Sequence, residues 1–416
     1  MTKDRGNAGP LRGVAAVLLF FLGLGVGPAL GADQILLNAQ IGGDLQHTRF
    51  VAFLAKKVDY RVFSIADPYR IVVDLPETEI QVPGDKGRGL ILSSRSGLLA
   101  PGKSRIVIDL VEPALVEKTE ILPPENDIPA RLVIDLTRST HKAFLAASKV
   151  PPPAQEQRPS QTAAIAKDPT DKRPLIVVDP GHGGVDAGAI GRVTTTLEKD
   201  VTFAFSKVLA EKLEATGRYR VVMTRTVDVF VPLDERAQMA SGPKADLLIS
   251  IHADALDAKK LGLKSLKEVR GGTVYTLSEE ASDEQAKVLA QNENKADVQA
   301  GVGSEQAVPA AVSEEINSIL SDLENRSKKN RSLALAAFLI EHMKEKMKFN
   351  IRPHRSANLR VLKAAGVPAV LIELGYLSND DDEKNLTSEE WRAATAALMA
   401  DTVNAFMSER QANIPL

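Results

Sequence analysis

From Pro174 onward, the sequence alternates short apolar runs with segments of helical periodicity. The apolar runs are PLIVVD, YRVVMTR, DLLISIHA, GGTVYTL and VPAVLIEL. Between the first two, LEKDVTFAFSKVLAEKLEATG places its apolar residues on one helical face, and Gly217 is suited to end that helix. SLALAAFLIEHMKEKM is a second such helix. This alternation predicts an α/β domain with a mostly parallel sheet flanked by helices.

Three of the predicted strands end in residues that can bind metals or transfer protons. PLIVVD leads into DPGHGGVDAGAIG, which contains His182, DLLIS ends at His252, and VPAVLI ends at Glu373. Ligands of open α/β sheets bind beyond the carboxyl ends of the strands, so we expect these side chains at one edge. Two histidines and a glutamate suit a catalytic zinc ion with a free position for water. Glu198, at the start of the first helix, is a fourth candidate. A further carboxylate would serve as general base, and spacing alone does not decide which glutamate is the ligand and which is the base.

Each of these residues also has an ordinary structural explanation. His252 could be a hydrogen-bonded histidine at a strand end, and Glu373 could be a buried ion-pair partner. Glu198 fits a capping box that begins at Thr195. The turn DPGHGG could bind phosphate, although it lacks the lysine of a Walker loop and the spacing of a dinucleotide fingerprint.

The composition limits the metal ligands and the partners. The chain of 416 residues contains no cysteine, so a metal must be bound by His, Asp or Glu. His47, His342 and His354 lie in polar or loop segments, and we assign no ligand role to them. The formal net charge of −2 gives no general attraction to nucleic acid, and we expect no nucleic-acid partner.

The N-terminal segment 1–32 has the organisation of a signal peptide. Three basic residues precede the apolar stretch 14–27, which is short for a membrane span, and small residues follow near Gly31. We expect cleavage there, a periplasmic location and no stable membrane insertion of the mature chain. The alternative is a permanent N-terminal anchor.

Residues 35–145 predict a small all-β domain that precedes the α/β domain. β-branched runs are broken by Pro, Gly and Asp, and RIVVDL, RIVIDL and RLVIDL are near copies of one strand pattern. Residues 146–173 are rich in Pro, Gln, Lys and Ala without apolar periodicity, which predicts a linker. The α/β domain then occupies residues 174–411.

The region from about 175 to 405 resembles the zinc-dependent N-acetylmuramoyl-L-alanine amidases of the Amidase_3 family. The matching stretches occur in the family's order and are IVVDPGHGGVDAGAIG, the helix of Glu198, VVMTRTVDVFVPLDERAQMA, LLISIHADA and VPAVLIELGYLSN. The resemblance implies that His182, Glu198 and His252 bind zinc and that Glu373 is the catalytic carboxylate. It also implies hydrolysis of the amide bond between N-acetylmuramic acid and L-alanine in peptidoglycan, for cell-wall remodelling and daughter-cell separation.

The β domain resembles the AMIN domain that precedes such amidases, on the basis of DYRVFSIADPYRIVVDLP. This resemblance implies a role in localising the enzyme to the cell wall or the division site. The alternative is a passive spacer.

The inserted segment 279–330 is long for a connection, and connections of this length usually have a function or are disordered. ASDEQAKVLAQNENKADVQA and SEEINSILSDLE both have helical periodicity, and Glu293 falls on the apolar face of the first. In amidases that act in daughter-cell separation, an inserted helix blocks the zinc cleft and an acidic side chain reaches the metal. The resemblance implies that Glu293 is that ligand and that a LytM-domain activator displaces the helix. The alternative is a solvated helix with an incidental glutamate.

Three other functions remain open at this point. One is a zinc peptidase that cleaves within the stem peptides. Another is a cell-wall-binding protein that has kept the fold without the chemistry, although the presence of all four site residues weighs against it. The third is a phosphate-binding protein that uses DPGHGG and binds no metal. We expect the chain to be a monomer.

Overall fold

The structure is a computed structural model, and it describes residues 35–80, 87–148, 171–256, 269–302 and 318–412. The predicted signal peptide and nearly all of the predicted linker lie outside these ranges. Among the helices within them, none combines the length and the apolar character that crossing a membrane requires.

The N-terminal domain is a sandwich of two β-sheets. Its elements are β1 (Ile35–Gly43), β2 (His47–Leu54), β3 (Arg61–Ile65), β4 (Arg70–Pro76), β5 (Glu79–Ile80), β6 (Ile91–Ala100), β7 (Lys103–Leu110), β8 (Ala114–Leu122), β9 (Ala130–Arg138) and α1 (His141–Ala147). The described strands form a five-stranded sheet in the order β5-β1-β2-β9-β8 and a four-stranded sheet in the order β3-β4-β7-β6. The predicted all-β domain is therefore confirmed.

The three similar strand sequences lie in both sheets of this sandwich. RIVVDL forms β4 and RIVIDL forms β7, which pair antiparallel, whereas RLVIDL forms β9 in the opposite sheet. Alternate residues such as Ile71, Ile108 and Ile134 are fully buried in the core between the sheets. Val72 and Val107 point to the other face of the four-stranded sheet, and they are fully buried as well. That outer face is covered by the second domain, as described below.

The second domain is the predicted α/β domain. Its elements are β10 (Leu175–Pro180), α2 (Glu198–Ala215), β11 (Arg220–Met223), α3 (Leu233–Ser241), β12 (Leu247–His252), β13 (Gly272–Leu277), α4 (Glu284–Glu293), α5 (Ala296–Gln299), α6 (Ser318–Met343), β14 (Phe349–Ala357), a 3-10 turn (Arg360–Leu362), β15 (Ala369–Glu373), α7 (Asp380–Thr387) and α8 (Glu389–Ala412). The strand order is β11-β10-β12-β15-β13-β14, and each neighbouring pair is parallel except β13 and β15. The prediction of a mostly parallel sheet is confirmed.

Helices cover both faces of this sheet. On one face, α2, α6 and α8 pack against alternate strand residues such as Ile249 and Ile372. On the other, α3, α4 and the 3-10 turn pack against Leu248 and Leu371. The predicted apolar face of α2 is buried, and Gly217 follows its end with a φ of +67°.

The inserted segment differs in part from its prediction. The first predicted helix is present as α4, followed by the short helix α5. The described part of SEEINSILSDLE is not a separate helix, because it is continuous with SLALAAFLIEHM in the 26-residue α6. Residues 303–317, which connect α5 to α6, lie outside the described ranges.

Candidate metal centre

Four buried side chains converge at the carboxyl edge of the sheet. They belong to His182, Glu198, His252 and Glu293, and each offers one ligand atom within 4.8 Å of the others. These residues come from the loop after β10, the start of α2, the end of β12 and the end of α4. The fold thus brings together His182, Glu198 and His252 with Glu293 of the inserted segment, and Glu373 is not part of this group.

His182 is oriented by the loop that carries it. Its backbone has a φ of +59°, and Arg236 donates a hydrogen bond of 2.6 Å to its carbonyl. Its Nδ1 lies 2.9 Å from Oδ2 of Asp186, so that Nε2 faces the cluster, 3.1 Å from Oε2 of Glu198. A carboxylate on the outer nitrogen fixes the ring and its tautomer, as is usual for histidines that bind metals. Asp186 was not singled out from the sequence, although it lies four residues after His182 in the glycine-rich stretch.

Glu198 turns its carboxylate into the cluster. The residue before α2 is Leu197, no side chain caps this helix, and the capping-box explanation for Glu198 is therefore wrong. Its two oxygens accept hydrogen bonds from the N–H groups of Ala189 at 2.9 Å and Ala253 at 2.8 Å. Burial raises the pKa of this carboxyl, but the neighbouring histidines outweigh that effect and hold the pKa well below 4.5. Glu198 is therefore ionised.

His252 is the last residue of β12, opposite Glu373 of β15 in the parallel register. Its Nδ1 lies 3.3 Å from Oε1 of Glu198 and 3.1 Å from Oε2 of Glu293. A Cβ atom on Gly181 would lie within 2.8 Å of three atoms of the imidazole ring. The glycine before His182 is thus required for His252 to fit against the loop.

The donor set fits a cation better than it fits a hydrogen-bond network. His182 Nε2 and His252 Nδ1 are buried, and in the described part of the chain neither forms a hydrogen bond. Both nitrogens instead lie 3.1 and 3.3 Å from oxygens of Glu198, and a cation between them would satisfy the two imidazoles and the carboxylate together. Two imidazole nitrogens and a carboxylate oxygen form a known ligand set for catalytic zinc.

Glu373 lies at the edge of the cluster and does not belong to the four converging ligands. Its Oε2 accepts a hydrogen bond of 3.0 Å from the N–H of Asp254, and its Oε1 has no partner among the described residues. Burial raises the pKa of Glu373 well above 4.5. The surroundings of Glu198 therefore favour the ionised carboxylate, whereas those of Glu373 favour the protonated carboxyl. Such a divergence is typical of a ligand or base beside an acid–base group.

Asp254 is a second residue that the sequence analysis did not single out. It lies two positions after His252, is buried, and its Oδ2 forms no hydrogen bond within the described ranges. Burial, together with the charges of Glu293 and Glu198, raises the pKa of its carboxyl to about 7. The available signal was its position in the stretch LLISIHADA, directly beyond the end of the strand.

The remaining histidines of interest lie away from the cluster. His47 and His342 are exposed, in agreement with the prediction. His354 was placed in a loop by the sequence analysis, but it lies in β14, where its Nε2 is 3.0 Å from Oγ1 of Thr276. The strand assignment follows from pairing with β13, which cannot be read from the segment itself.

The end of α4 closes the space over the cluster. Glu293 is the last residue of this helix, and its Oε2 lies 3.6 Å from Nε2 of His182. The cavity beside His182, His252 and Glu293 has a volume of about 10 Å³, which is room for roughly one water molecule. In this structure, the end of α4 therefore leaves little free volume beside the two histidines.

Comparison with known proteins gives a consistent result. Residues 176–405 match the family model Amidase_3, described as N-acetylmuramoyl-L-alanine amidase. The chain is 30% identical over 402 residues to the N-acetylmuramoyl-L-alanine amidase AmiC of Neisseria meningitidis serogroup B, covering 89% of each chain. It is 28% identical over 411 residues to AmiC of Escherichia coli O6:H1, covering 92% of this chain and 91% of that one. Among solved structures, the amidase AmiC2 of Nostoc punctiforme is 24% identical with a TM-score of 0.39, covering 56% of this chain and 97% of that one.

Proposed function

This chain belongs to the Amidase_3 family of N-acetylmuramoyl-L-alanine amidases and is a cell-wall amidase, and we propose that it uses zinc bound by His182, Glu198 and His252. The observation that carries this proposal is the convergence of two buried imidazole nitrogens on the carboxylate of Glu198. The reaction is hydrolysis of the amide bond between N-acetylmuramic acid and L-alanine in peptidoglycan.

The residues divide the chemistry among them. Bound zinc would lower the pKa of a water molecule and polarise the amide carbonyl. Glu373, in its ionised form, would accept the proton of the attacking water, and its burial, which raises its pKa, would then favour holding that proton. The same carboxyl group returns the proton to the leaving amine of L-alanine. Asp186 keeps the His182 ring in the required orientation.

We also propose that α4 blocks this site at rest and that Glu293 occupies a metal position that substrate needs. Three observations support the block: the contacts of Glu293 with both histidines, its burial, and the small volume of the cavity. An activator, for which a LytM-domain protein is the candidate, would then bind the inserted segment and displace α4. Such control fits an enzyme of daughter-cell separation, where uncontrolled hydrolysis would weaken the wall.

Where the enzyme acts in the cell is proposed from its two N-terminal regions. The segment 1–32 would direct export to the periplasm, and the β domain would act as an AMIN domain that localises the enzyme at the wall. Both proposals rest on sequence patterns described above.

The first experiment measures zinc content and peptidoglycan digestion in the wild type and in His252→Ala. We expect stoichiometric zinc and release of intact stem peptides from the wild type, and loss of both in the variant. His342→Ala is the matched control, because His342 is exposed on α6 and lies outside the cluster. A folded wild-type protein without zinc would overturn the metal site. Products cut within the stem peptide would identify a peptidase instead.

The second experiment tests the block with Glu293→Ala. The variant removes the carboxylate that contacts both histidines, and a loss of about 1.4 kcal/mol of closed-state stability would raise basal digestion roughly tenfold. Glu284→Ala, at the exposed start of the same helix, is the control and should leave basal digestion unchanged. Unchanged or lower digestion by a folded, zinc-loaded Glu293→Ala variant would refute the block.

A further inference from the structure

The β domain directly contacts the end of the segment that carries Glu293. Residues 299–301 are the last residue of α5 and the two that follow it, and their carbonyl oxygens accept hydrogen bonds from two arginines of the β domain. Arg95 Nε donates to the carbonyl of Gln299 at 3.0 Å, and Arg105 Nη1 donates to that of Gly301 at 2.6 Å. Helix-terminal carbonyls lack partners within the helix, so these guanidinium groups satisfy acceptors that would otherwise need water.

Both arginines are held in place by carboxylates of their own domain. Arg105 is almost fully buried and forms a two-pronged ion pair with Asp74, with contacts of 2.6 and 3.0 Å. Arg95 pairs with Asp109. The donors are therefore fixed by the sheet before they meet the segment, which lowers the entropy cost of the contact.

Apolar packing surrounds these hydrogen bonds. Ala300 is fully buried in a small cluster with Leu99 and Val107 of the β domain and Val185 and Phe230 of the α/β domain. Next to it, Gly301 has a φ of +67°, and a Cβ atom there would lie 3.3 Å from Cγ2 of Val72. Ala300 and Gly301 thus cover part of the outer face of the four-stranded sheet.

The same surface also reaches the loop of His182. The carbonyl of Leu98 accepts a hydrogen bond of 3.1 Å from the N–H of Phe230. A Cβ atom on Gly184 would meet that carbonyl oxygen at 1.9 Å, so the two backbones touch where only glycine fits. The β domain thus lies against both the metal-ligand loop and the end of the blocking segment.

On its other side, the segment is bound by the α/β domain. Asp297 accepts a hydrogen bond of 3.0 Å from the N–H of Leu233 and pairs with Arg360 at 3.0 Å. Asn294, directly after Glu293, accepts a hydrogen bond of 2.9 Å from the N–H of Arg360. The residues that follow Glu293 are therefore held between two domains, and movement of α4 away from the cleft strains or breaks contacts with both.

We propose that the β domain is an inhibitory element of the amidase itself, because its Arg95 and Arg105 surface holds the end of the segment that carries Glu293. The inference rests on the proposed block of the site by Glu293. It adds that the β domain helps to keep this block in place. A contact that holds the segment in the closed state favours that state, and loss of the contact would favour the open one. A ligand that draws the β domain away from residues 299–301 would then lower the barrier to activation.

The test is hydrogen–deuterium exchange of the full-length, zinc-loaded protein, together with basal digestion of peptidoglycan. In Arg95→Ala we expect roughly tenfold faster exchange in peptides covering residues 296–302 and a higher basal digestion rate. Arg49→Ala is the matched control, since it removes a guanidinium–carboxylate pair with Asp135 elsewhere in the β domain. It should change neither measurement.

A second variant perturbs the contact from the side of the segment and leaves the β-domain sequence intact. Gly301→Ala adds a methyl group against Val72 at a positive φ, and we expect the same two effects. Gly217→Ala is its control, because Gly217 has the same φ of +67° but no atom within 4 Å of the added carbon.

The outcomes separate this inference from the block on which it rests. Unchanged exchange in folded Arg95→Ala and Gly301→Ala variants would refute the contact. Faster exchange without a gain in digestion, while Glu293→Ala does gain, would refute its inhibitory role. If Glu293→Ala itself shows no gain, the block fails, and the inhibitory role of the β domain fails with it.

Discussion

Glu198 and Glu373 are both fully buried glutamates at the carboxyl edge of one sheet, yet their surroundings differ. Glu198 has two backbone N–H donors and two imidazole rings beside it, which stabilise its negative charge. Glu373 has one backbone donor and lies among other carboxyl groups, so burial dominates its behaviour. The opposite pKa shifts of these two glutamates are thus produced by their neighbours, and they match the ligand and acid–base roles that we propose.

The Glu373→Gln variant tests this division of roles. The amide is similar in size but cannot accept the proton of water, so we expect digestion to fall by roughly 10²–10⁴-fold. Zinc content should stay at the wild-type level, because Glu373 is not one of the converging ligands. Parallel measurements of digestion rate and zinc per chain check both parts. Wild-type digestion, or loss of zinc with the activity, would contradict the assignment.

Sequence reasoning singled out the four residues that converge in the structure but not the neighbouring carboxylates Asp186 and Asp254. His182, His252 and Glu373 were recognisable because each interrupts or ends an apolar strand. Asp186 and Asp254 gave no such signal, since an aspartate in a glycine-rich loop or after a strand is common. Their roles depend on which nitrogen or N–H they face, and only the three-dimensional structure defines that.

Between elements, the clearest connection is the buried pair of Asp179 on β10 and Arg236 on α3. Their contact distance is 2.8 Å, and Thr224 and Ser250 also donate hydrogen bonds to the carboxylate. Arg236 further donates to the carbonyl of His182, so the pair links the sheet, a helix and the metal-ligand loop. Burial raises the pKa of Asp179, but Arg236 and the two hydroxyls outweigh it and hold the pKa below 3.8.

The Asp179→Asn variant should lose about 3 kcal/mol of unfolding free energy at pH 7, because it leaves a buried guanidinium unpaired. The folded-state pKa is depressed, so the pair's contribution is present above the unfolded value of 3.8 and is lost as the pH falls through the folded value. The difference between wild type and variant should therefore shrink in acid. Urea unfolding at several pH values measures this difference. Asp380→Asn, in an exposed pair with Arg192, is the control and should change little.

The order of elements was largely predictable, but their pairing was not. Periodicity identified five of the six described strands of the α/β sheet, the helix α2 and the helix in the inserted segment, because each pattern is local, but it missed β14. It did not show that β13 runs antiparallel to β15, or that the second inserted helix continues into α6. Pairing depends on contacts between distant residues, and the continuity of a helix depends on what its intermediate turns pack against.

For the whole molecule, the sequence predicted two domains joined by a linker and left their relation open. The structure brings strands of the first domain against both the His182 loop and residues 299–301. Arg95 and Gln299 are 204 positions apart in the chain, so no periodicity or motif connects them. If the β domain were only a passive spacer, this contact would have no role. We propose instead that it regulates the enzyme.

Because α4 lies between β13 and α6, the proposed inhibitor is tethered at both ends to the domain that it inhibits. A separate inhibitor dissociates on dilution, whereas a tethered one has an effective concentration set by its tether, on the order of millimolar for short linkers. The fraction of enzyme molecules in the closed state would thus be independent of how much enzyme a cell makes. Every copy would start closed, and the number of open copies would follow the supply of whatever competes for the segment.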